Sequence, residues 1–249
     1  ADPASITALL DFAEERAPAE RYGVFLVGHG GGLGEYGYDE HPEPGGPSWM
    51  DVGEAARAIA RFDARSPGSV ELLYLQQCSR AHLATLVEVG VGAKVILASQ
   101  GNLGAPNAYY GAAIASLTAH PEADGRRLAR TIIDTEVPTM FEDLVAYDGA
   151  LLASEVPVRF AAVGATIQPP RGDGIPSVHT TGGRRYIDVA PWLRAAYAEA
   201  HIDSAPAEAF LRWFSNDVIL HRRSSPLARR AASWSGASLR VATSDHAIR

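Results

Sequence analysis

The sequence predicts an α/β fold in which a mainly parallel sheet is flanked by helices. Three apolar runs have the length and composition of buried strands, and three helical segments alternate with them. The strands are predicted at residues 22–28, 70–77 and 93–99, and the helices near residues 4–16, 51–62 and 79–89. Because strand and helix alternate repeatedly, the strands should be parallel and covered on both faces.

The second half of the chain is predicted to be mostly helical. Helices are expected near residues 124–144, 189–200 and 205–222, and strands near residues 156–167 and 237–242. We therefore expect residues 1–120 to form the core of the fold and residues 121–249 to complete the same domain. The 249 residues, 47% of them hydrophobic, suffice for one large core.

Composition limits the classes of function. A net charge of −7 argues against nucleic acid as a partner. The sequence has no apolar run of about 18 residues, so no membrane span is predicted. A single cysteine leaves no internal disulfide and no multi-cysteine zinc site, which favours the cytoplasm; secretion stays open because the N-terminus looks truncated.

Two of the predicted strands end on residues that can perform nucleophilic chemistry. The strand at 22–28 leads into His29 and Gly30, and the strand at 70–77 leads into Cys78. The histidine lies about fifty residues before the cysteine, a spacing typical of caspase-type cysteine proteases. Open α/β sheets place their ligand crevices at the carboxyl ends of strands, so both side chains should lie at one site.

The chemistry explains why these residue types would be paired. A free thiol is only slightly ionised at neutral pH, and an imidazole beside it raises the thiolate fraction and protonates a leaving amine. We expect Cys78 to be the nucleophile and His29 the acid/base. The amides of Gly30 and Cys78 are the predicted oxyanion donors, since a glycine lets an oxygen approach closely.

Two other assignments have less support in the sequence. His82 lies four residues after Cys78 and is an alternative base, but it has no following glycine, which favours His29. The run 28–32, Gly-His-Gly-Gly-Gly, has the spelling of a lipase oxyanion loop. The sequence has no Gly-x-Ser-x-Gly nucleophile elbow, which argues against an esterase.

Three segments resemble the clostripain-like (C11) cysteine peptidases, which share a clan with caspases, gingipains, legumain and separase. They are Phe25-Leu26-Val27-Gly28-His29-Gly30-Gly31-Gly32, Leu73-Tyr74-Leu75-Gln76-Gln77-Cys78 and Val95-Ile96-Leu97-Ala98-Ser99-Gln100. The resemblance implies a caspase-like fold and a cysteine endopeptidase acting on peptides or proteins through a Cys-His dyad.

The specificity pocket departs from the family pattern. The resemblance places Gln76 in the first pocket, with Ser99 and Gln100 helping to line it. Relatives usually have an aspartate in the place of Gln76, where it binds a substrate arginine or lysine. A neutral amide cannot form that ion pair, so a basic, an acidic or a polar residue before the cut all remain open.

The resemblance also implies a partner. In this family one or two strands precede the helix that leads to the histidine block, whereas this sequence opens on that helix. We expect another chain, or another segment of a longer chain, to supply those strands.

A long loop, residues 30–47, carries acidic residues that suggest calcium, which some relatives bind. Glu35, Asp39, Glu40 and Glu43 supply hard oxygen ligands of the type that calcium prefers. Their spacing matches no calcium motif, so a solvated loop is favoured and no cofactor is required by the sequence.

A non-catalytic or partner-activated module of caspase-like fold is the alternative function. The replacement of the pocket aspartate favours this module. Retention of both His29 and Cys78 favours the enzyme.

Overall fold

The computed structural model describes residues 2–39, 41, 49–170, 174–181 and 184–241. The α-helices are α1 Pro3–Arg16, α2 Val52–Arg65, α3 Leu83–Val89, α4 Tyr110–Ala119, α5 Gly125–Thr135, α6 Gly149–Gly164, α7 Val189–Glu199 and α8 Ala205–Trp213. The strands are β1 Arg21–Val27, β2 Glu35–Tyr36, β3 Met50–Asp51, β4 Ser69–Gln76, β5 Val95–Ala98, β6 Asp143–Asp148, β7 Ser177–Thr181, β8 Arg184–Asp188, β9 Ile219–Ser224 and β10 Ser238–Val241.

In the described residues, five strands form the central sheet in the order β1-β4-β5-β6-β9. β1, β4 and β5 are parallel neighbours, and β6 runs antiparallel to both β5 and β9. Four of the five strands thus run in one direction, which confirms the predicted mainly parallel sheet. A smaller antiparallel sheet has the order β10-β8-β7.

The central sheet is buried on both faces because its middle strands are apolar throughout. Leu73 and Leu75 of β4 pack into the core against α2, α3 and α6, whereas Leu72 and Tyr74 pack on the opposite face against α4 and α5. Alternate side chains of a strand point to opposite faces, so an unbroken apolar run fills two cores at once.

Aspartate side chains cap the N-termini of helices that cover the sheet. Asp51 accepts from the Glu54 amide at 2.8 Å at the start of α2, and Asp124 accepts from the Arg127 amide at 2.8 Å at the start of α5. Each satisfies an amide that the first turn leaves unpaired and complements the positive end of the helix dipole.

The strand predicted at residues 156–167 is wrong, because residues 156–164 belong to α6 and the helix ends there. The buried residues of this helix, Leu152, Val156 and Val163, recur at helical spacing, and Val158 is exposed. The β-branched residues around Pro157 suggested a strand, but the apolar face, together with the cap on Asp148, sets the structure.

Two predicted helices are too long. The helix predicted at 124–144 ends at Thr135, and β6 follows the turn at Pro138. The helix predicted at 205–222 ends at Trp213, and a π-helical turn leads into β9. In both segments the chain returns to the sheet, where backbone pairing with a neighbouring strand outweighs local helix propensity. The C-terminal part is therefore less helical than predicted.

β1 is an edge strand of the central sheet among the described residues. A groove of about 630 Å³ runs along it, lined by apolar side chains of α1 and β1 that include Ile6, Leu10 and Phe25. Leu9 and Val27, which also line it, are 65% and 58% exposed. None of the described helices is long and apolar enough to cross a membrane.

Candidate active site

The register of β1 against β4 brings the two predicted reactive residues to one edge of the sheet. Val27 pairs with Gln76 in this parallel ladder. His29 and Cys78 each follow that pair by two residues, so the two chains leave the sheet side by side. His29 is exposed and Cys78 is partly exposed.

Gly30 lies directly against the nucleophile loop. A β-carbon built on Gly30 would lie 2.1 Å from the Cys78 carbonyl oxygen and 3.2 Å from Arg80 Nε. Such a contact is impossible for an unshifted backbone, so the loop after β1 can reach Cys78 only because residue 30 lacks a side chain. The sequence prediction assigned this space to a substrate oxygen, and the structure fills it with the carbonyl of Cys78.

Cys78 lies in a tight turn held from below by a neighbouring loop. The next residue, Ser79, has a φ of 54°, which is uncommon for a residue with a side chain. The Ser79 amide donates to the Gly101 carbonyl at 2.7 Å, and the Ala81 amide donates to the Ser99 carbonyl at 2.8 Å. The Cys78 amide donates to no other described residue, which leaves it available to a ligand.

The thiol of Cys78 contacts the backbone of Leu103. Its sulfur accepts from the Leu103 amide and donates to the Leu103 carbonyl, each at 3.4 Å. Leu103 also lines a groove of about 450 Å³ that includes Met140, Phe141 and Leu227. A groove with both apolar and polar lining therefore begins at the residue that the sulfur contacts.

Gln76 lies at the end of β4 and is enclosed by polar neighbours. Its amide nitrogen donates to Asn107 and, at 3.0 Å, to the Tyr110 hydroxyl, while its oxygen accepts from the Tyr109 hydroxyl at 2.5 Å. Only 6% of Gln76 is exposed. The surface beside Gln76 is therefore shared with Asn107 and Tyr110, which the sequence prediction missed.

A buried carboxylate lies behind Asn107. Glu136, 2% exposed, accepts from the Asn107 side chain at 2.9 Å and from the Ala108 and Val137 amides at 3.0 and 2.8 Å. Burial, and secondarily this negative charge, raise the pKa of Tyr74 above its ordinary value. Glu136 therefore makes the environment of Gln76 more negative than the neutral amide suggests.

Ser99 and Gln100 are fully buried, and their side chains contact carboxylates. The Ser99 hydroxyl donates to Asp143 Oδ1 at 2.8 Å, and the Gln100 amide group donates to Asp188 Oδ2 at 3.0 Å. Both residues thus lie beside the loop of Cys78 and help to hold it in place. Their contact with substrate stays a prediction.

Asp143 is the centre of that support. Its Oδ1 also accepts from the backbone amides of Gln100 and Gly101 at 2.9 and 3.1 Å. Burial raises the pKa of Asp143 to about 6, although these hydrogen bonds oppose the rise. Sequence reasoning missed Asp143 because it placed the residue inside the over-long helix at 124–144.

His82 is buried and does not lie free beside the thiol. Its Nδ1 is 2.7 Å from the Ser238 hydroxyl, and its ring stacks on Tyr186 with centroids 4.1 Å apart. These contacts tie the start of α3 to the small sheet, which favours His29 over His82 as the base.

No cluster of three His, Cys, Asp or Glu side chains suited to a metal ion occurs among the described residues. Glu40 and Glu43, two of the acidic residues considered for calcium, lie outside the described residues. A separate groove of about 690 Å³ over α5 and β9 is lined by Arg126, Arg127 and Arg130 and includes none of the predicted site residues.

No family model matches the chain, and no curated protein matches its sequence. Solved structures do match its fold. A secreted C11 cysteine protease of Bacteroides thetaiotaomicron, iotapain, aligns over 95% of this chain and 71% of its own, with a TM-score of 0.70 and 12% identity. An inactive zymogen C11 protease of Parabacteroides distasonis aligns over 98% of this chain and 70% of its own, with a TM-score of 0.67 and 14% identity.

A third solved structure holds a peptide-derived ligand. It is a secreted C11 cysteine protease of B. thetaiotaomicron in complex with an irreversible peptide inhibitor, and it aligns over 98% of this chain and 68% of its own. Its TM-score is 0.64 and its identity 14%. This chain therefore has the caspase-like fold of the clostripain-like, or C11, cysteine proteases.

Proposed function

We propose that this protein is a cysteine endopeptidase in which Cys78 is the nucleophile and His29 the acid/base. The observation that carries the proposal is the parallel register of β1 and β4, by which the strands before His29 and Cys78 end side by side, with Gly30 against the Cys78 carbonyl. A structural neighbour that binds an irreversible peptide inhibitor supports peptides as the substrate class.

The proposed mechanism follows from thiol chemistry. His29 takes the proton of Cys78, and the thiolate attacks the scissile carbonyl to give a tetrahedral oxyanion. The free Cys78 amide, together with the Gly30 amide, stabilises that oxygen. His29 then protonates the leaving amine, an acyl-enzyme remains on Cys78, and water activated by His29 releases the second product.

Gln76, flanked by Asn107 and Tyr110, is the proposed selector of the residue before the cut. These groups offer both donors and acceptors, and the buried charge of Glu136 disfavours an acidic side chain nearby. A polar or basic residue therefore suits the pocket better than an acidic one. Ser99 and Gln100 remain proposed residues of this pocket, and since both are fully buried, their proposed role is to shape its wall from beneath.

The experiment is hydrolysis of a fluorogenic peptide library varied at the residue before the cut, with calcium and with a chelator. Cys78→Ala should abolish cleavage, and His29→Ala should lower kcat at least roughly 100-fold. Unchanged cleavage by Cys78→Ala would reject the proposal.

The second candidate is a silent or partner-activated module of the same fold, favoured by the contact of the Cys78 sulfur with the Leu103 backbone. A peptidyl chloromethyl ketone separates the two functions. In a competent site this reagent should alkylate Cys78 faster than a chloromethyl ketone without a peptide does, whereas in a silent module the two reagents should react equally. Adduct mass and the labelled peptide identify the residue.

We also propose that an extended segment, from another chain or from a longer form of this one, adds a strand to β1. The apolar groove between α1 and β1 supports this. Within the described ranges the outer edge of β1, beside exposed Leu9 and Val27, pairs with no strand and can accept a further one. Labelled strand-forming peptides with alternating valine and threonine should bind, with binding weakened by Leu9→Arg. Ile114→Arg, at an equally exposed residue of α4, is the matched control. Equal binding to both variants would contradict this proposal.

A further inference from the structure

Arg80 is the largest fully buried side chain among the described residues, with 0% of its surface exposed. Burial lowers its pKa to about 10, so it still carries its charge at neutral pH. No carboxylate of the described residues forms a salt bridge with it. Taking a charge out of water is costly, and a buried charge persists only where hydrogen bonds compensate it.

Four backbone carbonyls provide that compensation. Nε donates to the Cys78 carbonyl at 3.2 Å. Nη2 donates to the Gly31 carbonyl at 2.5 Å, and Nη1 donates to the Gly32 carbonyl at 3.2 Å and to the Glu35 carbonyl. One acceptor belongs to the nucleophile itself, and the other three belong to the loop that begins at His29.

Among the described residues, the other backbone ties of the loop after β1 lie within the loop itself or join it to β3 and the start of α2, not to the cysteine loop. Glu35 closes it on itself by accepting from the Gly32 amide at 2.5 Å, and Tyr36 of β2 bridges back to Gly30. β2 also pairs with the two-residue strand β3, and the Val52 amide donates to the Gly34 carbonyl at 2.8 Å. The planar guanidinium is therefore the main polar link between the histidine loop and the cysteine loop. Its fixed fork of donors defines both the distance and the orientation of the two loops.

Two simpler roles for Arg80 do not fit. A solvent cap requires exposure, and Arg80 has none. A group that only attracts the thiolate would need nothing more than a charge near it. The Arg80 guanidinium instead donates hydrogen bonds to the carbonyls of residues 31, 32 and 35. The attraction between Arg80 and an ionised Cys78 adds to these hydrogen bonds.

We propose that Arg80 is a positioning residue that clamps the histidine loop onto Cys78 and so sets the alignment of the two reacting side chains. The inference rests on the proposed function. A displacement of reacting groups by about 1 Å can cost roughly 100-fold in rate, so loss of the clamp should act on kcat. KM should change little, because Arg80 is buried and cannot touch substrate.

The test compares Arg80→Met, which removes charge and fork, with Arg80→Lys, which keeps the charge but loses the fork. Two quantities are measured: kcat and KM on the best peptide, and the rate of Cys78 alkylation by iodoacetamide from about pH 5 to about pH 10. Arg80→Met should lower kcat roughly 100-fold and move the midpoint of alkylation to higher pH. Arg80→Lys should keep the midpoint near that of the wild type and still lose most of kcat.

Arg223→Met is the matched control. Arg223 also donates to three backbone carbonyls, those of Ile133, Asp134 and Glu136, and lies over the Phe141 ring, but it touches neither reactive loop. Its replacement should leave the alkylation profile of Cys78 unchanged. Circular dichroism and the melting temperature show whether each variant is folded. If Arg80→Met does not fold, the kinetics of Arg80→Lys alone test the proposal.

The outcomes separate this inference from the proposed function. Normal kcat in a folded Arg80→Lys would overturn the clamp. So would a loss of stability in Arg80→Met with an unchanged alkylation profile. If the wild type cleaves no peptide but Arg80→Met still shifts the alkylation midpoint, the proposed peptidase fails and the link between Arg80 and Cys78 stands.

Discussion

The two loops of the candidate site are built differently. The cysteine loop follows β4, a buried inner strand, and is held by the loop at residues 99–101 and by Asp143. The histidine loop follows β1, an edge strand, and His29 itself is exposed. The loop of Cys78 is thus fixed by the core, whereas the loop of His29 is joined to it at Gly30 and through the hydrogen bonds of Arg80.

This difference teaches where the site is vulnerable. Changes beneath the cysteine loop must first overcome a packed core, so they should appear mainly as lost stability. Changes at the junction with the histidine loop meet little resistance, so they should appear mainly as lost activity.

The largest effect is expected at that junction. Gly30→Ala places a β-carbon against the Cys78 carbonyl, a backbone atom that cannot rotate away. The loops must separate, and we expect kcat to fall at least roughly 100-fold. Steady-state kinetics on the best peptide checks this.

Gly164→Ala is the control for Gly30→Ala. Gly164 ends α6, and a β-carbon there meets no atom within 4 Å. Activity should be unchanged and stability equal or slightly higher, by up to about 1 kcal/mol. Equal kcat in the two glycine variants would show that the close approach of Gly30 to Cys78 does not matter for the reaction.

The second prediction concerns the support of the cysteine loop. The pKa of Asp143 is raised to about 6 by burial, above its ordinary 3.8, so the folded state holds the proton more tightly than the unfolded state does. Its stabilising contribution is complete below about pH 4 and is lost as the pH rises through about 6. The whole loss amounts to roughly 3 kcal/mol, of which roughly 2 kcal/mol falls between about pH 4 and about pH 7.

Asp143→Asn should remove that pH dependence and keep the hydrogen bonds, because all three known donors use Oδ1. Urea unfolding at about pH 4 and about pH 7 measures it: relative to the wild type, the variant should gain roughly 2 kcal/mol between the two. A constant difference would show that Asp143 titrates normally. Other carboxylates contribute equally to both proteins and cancel.

Much of the fold followed from the sequence because strong apolar runs define β1, β4 and β5. The sequence points to His29 and Cys78 as candidates because each stands directly after such a run. The sequence could not reveal that residue 27 pairs with residue 76, since register is a property of two distant strands. Gly30 was noticed for its freedom, but the carbonyl that demands it lies 48 residues away at Cys78.

Arg80, Asn107 and Asp143 were harder to assign for the same reason. A buried arginine and a solvated one look alike in sequence, and only the carbonyls of the facing loop show which one Arg80 is. Asp143 had a usable signal, since Pro138 is incompatible with the interior of the long helix predicted there.

The smallest expected effect lies at Gln76, which precedes the cysteine loop, the loop that is held by the core. Gln76→Asp introduces the carboxylate that the family resemblance expects, beside the hydroxyls of Tyr109 and Tyr110, which can donate hydrogen bonds to it. Hydrolysis after arginine or lysine should rise relative to hydrolysis after glutamine, by roughly tenfold. Gln76→Asn is the matched control, because it shortens the side chain equally without adding charge. The measured quantity is kcat/KM for the arginine or lysine peptide divided by kcat/KM for the glutamine peptide. If this ratio rises in Gln76→Asp alone, the charge of residue 76 selects the substrate. If it changes equally in both variants, side-chain length sets the preference, and the charge of Glu136 already determines which substrates enter.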